Sequence, residues 1–512
     1  EEAIERALKN NLEIEIERQN RAGTYQGVKA ASGFYDPVFR WQPSAEKRNT
    51  PVGNVLQAAD GRLVDRLFGQ NFYLRQPLPW SGSSFHVDFE NSRQATNNPF
   101  AALNPYVTSR LILGFSQPLL RDREIDQPRA QLKISRKQAS LSEVDLKLKV
   151  IDVVTRVQQS YWDLVAARQD AQVKRDNVEW AREQLARSER QIEAGTLAPV
   201  ELSAAQAELE RRLDTYIASI GAVTEAENAL KTMVASGRDD TLWGDEILPV
   251  DTKTLSPLVF DDLKSATAEA LRRRPELDSF DLRKDINDVQ KQLAASQTKP
   301  QLSLNANYIN QGLGGAVGST ANPFTASNAA LYERLNRLSG LAGLPALPLP
   351  TFGGALPSNL IGGLGTAWGG VFGGDFRTLA AGFTFDFNVR NRTAEAQLTQ
   401  SVIGERRIGL EKARAAQLIE AQVRNAMQAI ETARQRITAA EASERAAKEK
   451  LDSEVRLFTT GESTNFLVLT RQNEFADSRR RAVVAQLDFN RAVARLEQAV
   501  GATLERHKIT VQ

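Results

Sequence analysis

The stretches AGTLAPVELSAAQAEL, residues 194–209, and TGESTNFLVLTRQNEF, residues 460–475, decide the fold. Each interrupts a long helical pattern at a glycine, Gly195 or Gly461, and each lets the pattern resume within a few residues. A shift of 266 residues superposes the two glycines. The same shift places Ala167-Arg168-Gln169 on Ala433-Arg434-Gln435, and Leu230 and Val234 on Leu496 and Val500. Nearer the start a shift of 263 places Ala7-Leu8 on Ala270-Leu271, Glu13 on Glu276, Ala31 on Ala294 and Pro37 on Pro300. Self-similarity at this scale points to a tandem duplication. The expected organisation is a first repeat over 1–236, a linker over 237–262 and a second repeat over 263–512. Each repeat runs short helix, proline, strands, long helix, glycine turn, long helix.

The helical stretches carry heptads. Val150, Val157, Leu164, Ala171, Val178, Leu185 and Ile192 recur every seven residues, and small residues such as Ala167, Ala181 and Ser188 lie three positions on. In the second half Val423, Ile430, Ile437, Leu451 and Phe458 form the seam, beside Ala426, Ala433, Ala440 and Ala447, with Glu444 interrupting it. Large residues facing small ones let helices approach closely. Past the turns the seams resume at Leu202, Leu209, Tyr216, Val223 and Leu230, and at Val468, Phe475, Ala482, Phe489 and Leu496. From about residue 121 to Gly195, and from about 391 to Gly461, the helices would be on the order of 105–110 Å long. The glycines suit C-caps with positive φ, Pro199 suits a first helical turn, and Ser463 or Thr464 suits an N-cap.

Between the short and long helices the period changes to two. In SSFHVDFENS (83–92) Phe85, Val87 and Phe89 oppose His86, Asp88 and Glu90. QLSLNANY (301–308) and GFTFDFNV (382–389) alternate in the same way, VTSRLILGFS (107–116) less cleanly, and RLFGQNFYLRQPLPW (66–80) adds a candidate strand. Alternation of this kind fits membrane barrel strands with lipid on one side and a polar lumen on the other. It also fits a sandwich with one wet face. The Gly-, Pro-, Leu- and Ala-rich stretch 311–376 reads as a long outer loop, inserted in the second repeat.

Composition narrows the chemistry. Among 512 residues, 65 basic and 63 acidic side chains leave a net charge of +2, too balanced for a protein whose main partner is nucleic acid. With no cysteine and only His86 and His507, thiolate sites and histidine-rich metal or acid–base sites are not expected. The carboxylates sit at solvated helix positions. The expectation is therefore no catalytic residues, no cofactor and no metal. No apolar run is long enough for a transmembrane helix, which leaves a barrel open. The sequence from Glu1 shows no signal-peptide pattern, as expected if none was made or if it was removed.

Taken together, ALKNNLEI and ALRRRPEL at the repeat starts, DPVF and KPQLSLNANY at first strands, GFSQPLLRD at a strand-to-helix return, and the two tips resemble the TolC-like outer membrane efflux proteins. The resemblance covers nearly the whole chain. It implies a mixed α and β fold of long antiparallel coiled-coil hairpins forming an α-barrel tunnel. Four strands per chain would make a twelve-stranded transmembrane β-barrel completed by trimerisation, and a mixed α/β belt from linker and terminal helices would girdle the tunnel. It implies a passive exit duct of a tripartite efflux or type I secretion system in the cell outer membrane, with the tunnel in the periplasm. The implied partners are two further copies, a periplasmic adaptor, an inner-membrane pump and outer membrane lipid. Adaptor docking is implied at Gly195, Thr196, Leu197 and Ala198 and at Gly461, Glu462, Ser463 and Thr464. The best-known member of the family closes its mouth with aspartates just after the second tip glycine and with a tyrosine–arginine network. Aligned on Gly461, the aspartate positions here are Leu467 and Thr470, the tyrosine position is Phe458 and the arginine position is Ser463; only Glu201, in the first hairpin, keeps an acid. The candidate gate is thus Glu201, Phe458, Leu467 and Thr470, with apolar closure by Phe458 and Leu467. The competing readings are a periplasmic adaptor and a soluble structural coiled coil. The two hairpins and two amphipathic strand sets count against the adaptor, and a structural coiled coil would show no detergent requirement and no heat-stable trimer.

Overall fold

A computed structural model describes residues 1–512 except Val55, Ala59, Thr196, Leu197, 251–261, 319–322, 349–355 and Gln512; the side chains of 323–327 and Asn465 are also outside the description. The chain divides into two compact units: Glu1–Gly27, Ser135–Asn287 and Ile403–Gln512 form the first, Val28–Ile134 and Asp288–Val402 the second.

Short helices α1 (Glu2–Asn10) and α2 (Leu12–Ser32) precede strands β1 (Val38–Pro51), β2 (Arg62–Pro77), β3 (Ser84–Thr96) and β4 (Leu103–Pro118). The long helix α3 (Gln127–Glu193) and its return α4 (Val200–Val234) follow. The second half begins with α5 (Leu263–Arg273) and α6 (Pro275–Gln297), then β5 (Gln301–Val317), α7 (Pro323–Leu341), α8 (Leu364–Gly373) and β6 (Phe376–Asp386). It closes with α9 (Arg392–Thr459), α10 (Asn465–Val500) and the short α11 (Thr503–Arg506). After Pro128, α3 contains neither glycine nor proline, so nothing in its interior breaks 67 residues of helix. At 68 residues α9 matches it in length despite Gly404 and Gly409. The first of these glycines is required by packing: a Cβ there would lie 2.6 Å from Asn287 Oδ1.

In the helical unit each half builds its own core. Ile4, Ala7 and Ile14 pack with Val150, Val154 and Val157 of α3 and Leu230 of α4. Ala266, Ala270 and Leu277 pack with Val423 and Ile430 of α9 and Leu496 of α10. Ala7 and Ala270 are both fully buried, so these two alanines occupy matching contact points. The heptad seams are buried at Val150, Val157, Leu164, Val178 and Leu230 and at Val423, Ile430, Val468, Phe489 and Leu496, and half-buried nearer the turns at residues such as Leu202, Leu209, Leu451 and Phe458. Each large buried side chain contributes about 1.5–3 kcal/mol. Toward the first turn burial passes from the expected Leu185 and Ile192 to Ala181, Gln184 and Ser188. Among the described residues of 237–250 the regular structure is one 3-10 turn, Thr241–Trp243, and the chain ends in α11; no strand forms at either place, so the expected mixed α/β belt is helical and irregular there. Residues 251–261 of the linker lie outside the described residues.

The second unit holds one antiparallel sheet in the order β1-β2-β3-β4-β5-β6. The expected four strands are therefore corrected to six among the described residues. The candidate strand at 66–80 is β2 and pairs with both β1 and β3. Only the start of β1 alternates cleanly; Pro43 and the charged Glu46, Lys47 and Arg48 break its periodicity. The reading of 311–376 as a loop is corrected too. Residues 311–317 finish β5, Phe376 starts β6, and α8 packs on β5 and β4.

Candidate functional site: the hairpin tips and the two faces of the sheet

Both helix reversals are built on glycine. Gly195 has φ +74° and Gly461 φ +82°, the left-handed region where a side chain costs about 1–2 kcal/mol. At the second turn the N–H of Glu462 donates to the Leu457 carbonyl (2.9 Å) and that of Gly461 to the Phe458 carbonyl (3.2 Å). These two bonds make a Schellman cap, which satisfies carbonyls that the helix end would leave open. The first turn shares the inner bond, Gly195 N–H to the Ile192 carbonyl at 2.9 Å. Thr464 is the N-cap of α10, its side chain accepting from the Leu467 N–H, as the sequence suggested. Pro199 caps α4 one position earlier than a first-turn proline.

The docking candidates Gly195, Ala198, Gly461, Glu462 and Thr464 are exposed and Ser463 is half-buried, its hydroxyl bonded to the Glu454 carboxylate; Thr196 and Leu197 lie outside the described residues. Of the gate candidates, Leu467 is exposed, while Glu201, Phe458 and Thr470 are half-buried. Among the described residues, sequence reading missed the most exposed large apolar groups at these turns, Val200 on the first hairpin and Phe466 on the second. Their signal was an apolar residue in the first turn of the returning helix, off the heptad seam.

The two hairpins are tied together above the tips by a polar cluster that sequence reading also missed. Arg212 is 4% exposed. Its guanidinium donates to Glu208 Oε1 (2.8 Å), to the Asn177 carbonyl of α3 (3.0 Å) and to Asn473 Oδ1 of α10 (3.1 Å). Burial works to raise the Glu208 carboxyl, but the hydrogen bonds and charges of Arg211 and Arg212 outweigh it and hold the group at about 2. Nearby, Trp180 of α3 stacks on Phe475 of α10, with ring centroids 6.0 Å apart, and Arg479 pairs with Asp176 at 2.9 Å.

The sheet has two distinct faces, fixed by the cross-strand register. Trp41 pairs with Phe72, Phe72 with Phe89, Phe89 with Leu111, Leu113 with Tyr308, and Tyr308 with Leu379. Because directly paired residues share a face, one side is an apolar band from Phe39 and Trp41 on β1 to Leu379, Phe383 and Phe385 on β6. Many of these groups are exposed. The other side carries Arg40, Gln42, His86, Asp88, Glu90, Arg110, Asn305, Asn307 and Thr384. It is cross-linked by Ser92–Thr108 (2.7 Å), Ser116–Asn305 (2.8 Å) and Asn305–Thr384 (3.1 Å) hydrogen bonds. The phenylalanines of 83–92 and 382–389 thus lie on one common face, as their alternation predicted. Neighbouring strands alternate in direction throughout, so the two edge strands, β1 and β6, run in opposite senses.

Residues 85–236 match the family model described as "Outer membrane efflux protein". No curated protein matches the chain. Among solved structures, the fold resembles the CmeC outer membrane channel of Campylobacter jejuni, with TM-score 0.66 and 15% identity over 99% of this chain and 88% of that one. It also resembles the outer membrane protein VceC of Vibrio cholerae, with TM-score 0.62 and 14% identity over 98% and 95%. The open state of the MtrE outer membrane channel of Neisseria gonorrhoeae gives TM-score 0.60 and 15% identity over 98% and 88%. The resemblance is thus matched by the family model over residues 85–236 and, as a fold of long helical hairpins with an antiparallel sheet, by the solved structures over nearly the whole chain.

Proposed function

We propose that this chain, with the family signature of outer membrane efflux proteins and the fold of outer membrane channels, is a passive exit duct in the outer membrane. It would serve a tripartite efflux or type I secretion system, with no catalysis and no cofactor of its own. The observation that carries this reading is the sheet. It has one face with an apolar band that crosses all the strands, an opposite hydrogen-bonding polar face and two edge strands. In lipid every backbone N–H and C=O needs a partner, so such a sheet is stable there only when closed. One copy's β6 can pair with the next copy's β1 and continue the antiparallel alternation, because the two strands run oppositely. Three copies, the number the family resemblance implies, would close about 18 strands rather than 12, and barrels of 16–18 strands leave an aqueous channel. The polar face becomes the lumen and the apolar face meets lipid.

The long hairpins then supply the periplasmic tunnel. Gly195 to Ala198 and Gly461 to Thr464 form its lower rim, where a periplasmic adaptor docks and passes on the work of an inner-membrane pump. Exposed Val200 and Phe466 give that rim apolar contact points. The tandem organisation, with repeats 1–236 and 263–512 joined by 237–262, is supported by the equivalent burial of Ala7 and Ala270.

Closure at the mouth is assigned to Phe458 and Leu467, with Thr470 beside them and Glu201 the lone acid. Recorded in planar bilayers, the protein is expected to show discrete conductance steps, and Glu201→Gln is expected to raise open probability only slightly. An absence of steps would refute the duct. A large rise in Glu201→Gln would replace apolar closure with an electrostatic gate.

A further inference from the structure

We propose that α8, in the segment between β5 and β6, is a membrane-embedded helix lying on the outer face of the sheet, where its exposed side meets lipid acyl chains. The proposal rests on the reading of that face as the lipid side. The helix, LGTAWGGVFG, carries no charged residue. It packs on the apolar face where the band turns polar, over the row of Asn91 and Ser109 and over Asn310 in the adjoining row of Phe89 and Leu111. Two glycines of β5 admit it. A Cβ on Gly312 would lie 1.7 Å from the Ala367 carbonyl oxygen, and one on Gly314 would lie 2.6 Å from that of Gly363.

Polar groups beneath bond to the helix and to each other, with Asn310 Oδ1 left buried and unmatched. Trp368 Nε1 donates to Asn91 Oδ1 at 2.8 Å, Ser109 Oγ donates to the same oxygen at 2.7 Å, and Asn310 Nδ2 donates to the Val371 carbonyl. The last bond satisfies a carbonyl in the final turn of α8. An unmatched helix end is what normally keeps short helices out of hydrocarbon. Phe89 of the band touches both Trp368 and Phe372, with ring centroids 5.8 and 6.2 Å apart, so the helix surface continues the band without a gap. Despite these contacts Phe372 is 71% exposed and Trp368 40%.

Height gives the reason for the helix. On β5 the band from Leu302 to Tyr308 spans about 20 Å along the strand, or roughly 16 Å after a barrel tilt near 40°, short of the ~25 Å apolar belt of an outer membrane barrel. Counting to Gly312, under α8, brings the same strand to about 34 Å, or roughly 26 Å after tilt. The helix thus completes the hydrophobic belt over a sector where the strands themselves turn polar.

The chain has no cysteine, so single labels can be placed cleanly. Spin labels at Phe372→Cys and, separately, at Phe383→Cys on β6 would be read for collisions with oxygen and with a water-soluble nickel chelate. The host would be vesicles of phosphatidylethanolamine and phosphatidylglycerol. The expected result is that oxygen collisions dominate at both sites. A lipid signature at 383 with nickel dominating at 372 would overturn the membrane helix while leaving the duct intact. Low collision with both reagents and an immobilised spectrum at 372 would also overturn it, because protein would cover the site. Nickel dominating at both sites would refute the membrane reading and this proposal with it.

Discussion

Phe383→Arg is expected to destabilise the folded protein in lipid by about 2–4 kcal/mol, the cost of a cation on the lipid face of a barrel. Phe383 lies on the apolar side of β6, opposite Leu304, and is exposed. Its neighbour Thr384 faces the other way, with its hydroxyl accepting a hydrogen bond from Asn305. Thr384→Arg should therefore leave folding nearly unchanged and shift ion selectivity toward anions, since it adds a positive charge to the lumen. Urea titration of folding into vesicles measures the first effect, and reversal potentials in a salt gradient measure the second. Equal destabilisation by both substitutions would mean that the two faces do not meet different solvents.

Arg212→Met is expected to cost about 1–3 kcal/mol, because it leaves the Asn177 carbonyl and Asn473 Oδ1 without their donor in the packed layer between the hairpins, while Arg211 stays paired with Glu208. Replacing Glu208 by Gln at the same time should recover little of that loss, since Arg211 already neutralises Glu208 and the Asn177 and Asn473 partners stay unmet, which a double-mutant cycle on thermal unfolding would show. The pair also sets an acid limit. The folded-state value of Glu208, about 2, lies below the ordinary 4.5. The group thus contributes stability that is present above pH 4.5 and is lost as pH falls through 2. Glu208→Gln alone should flatten that part of the acid-unfolding profile. An unchanged profile would place Glu208 outside the coupling between hairpins.

How much of this was legible in the sequence depended on which solvent each residue meets. The glycine turns and Thr464 were readable because a left-handed C-cap and an N-cap each demand particular residue types. The strands of β3 and β5 were readable where one face stays apolar for several consecutive rows. β1 was not, because beyond Trp41 both of its faces become polar. α8 was hidden because glycine-rich sequence signals turns, and here the glycines serve close approach. Arg212 was hidden because a buried arginine follows no hydrophobic period; its partners on α3 and α10 are brought together only by tertiary packing.

The number of chains in the particle tests the central claim most directly. Extracted from outer membranes in mild detergent and weighed by native mass spectrometry, the protein is expected to appear as three copies of the 56.5 kDa chain. Such a particle joins each β6 to the next β1. A monomer or dimer, or recovery in the soluble fraction, would leave both sheet edges open and would contradict a barrel closed between subunits.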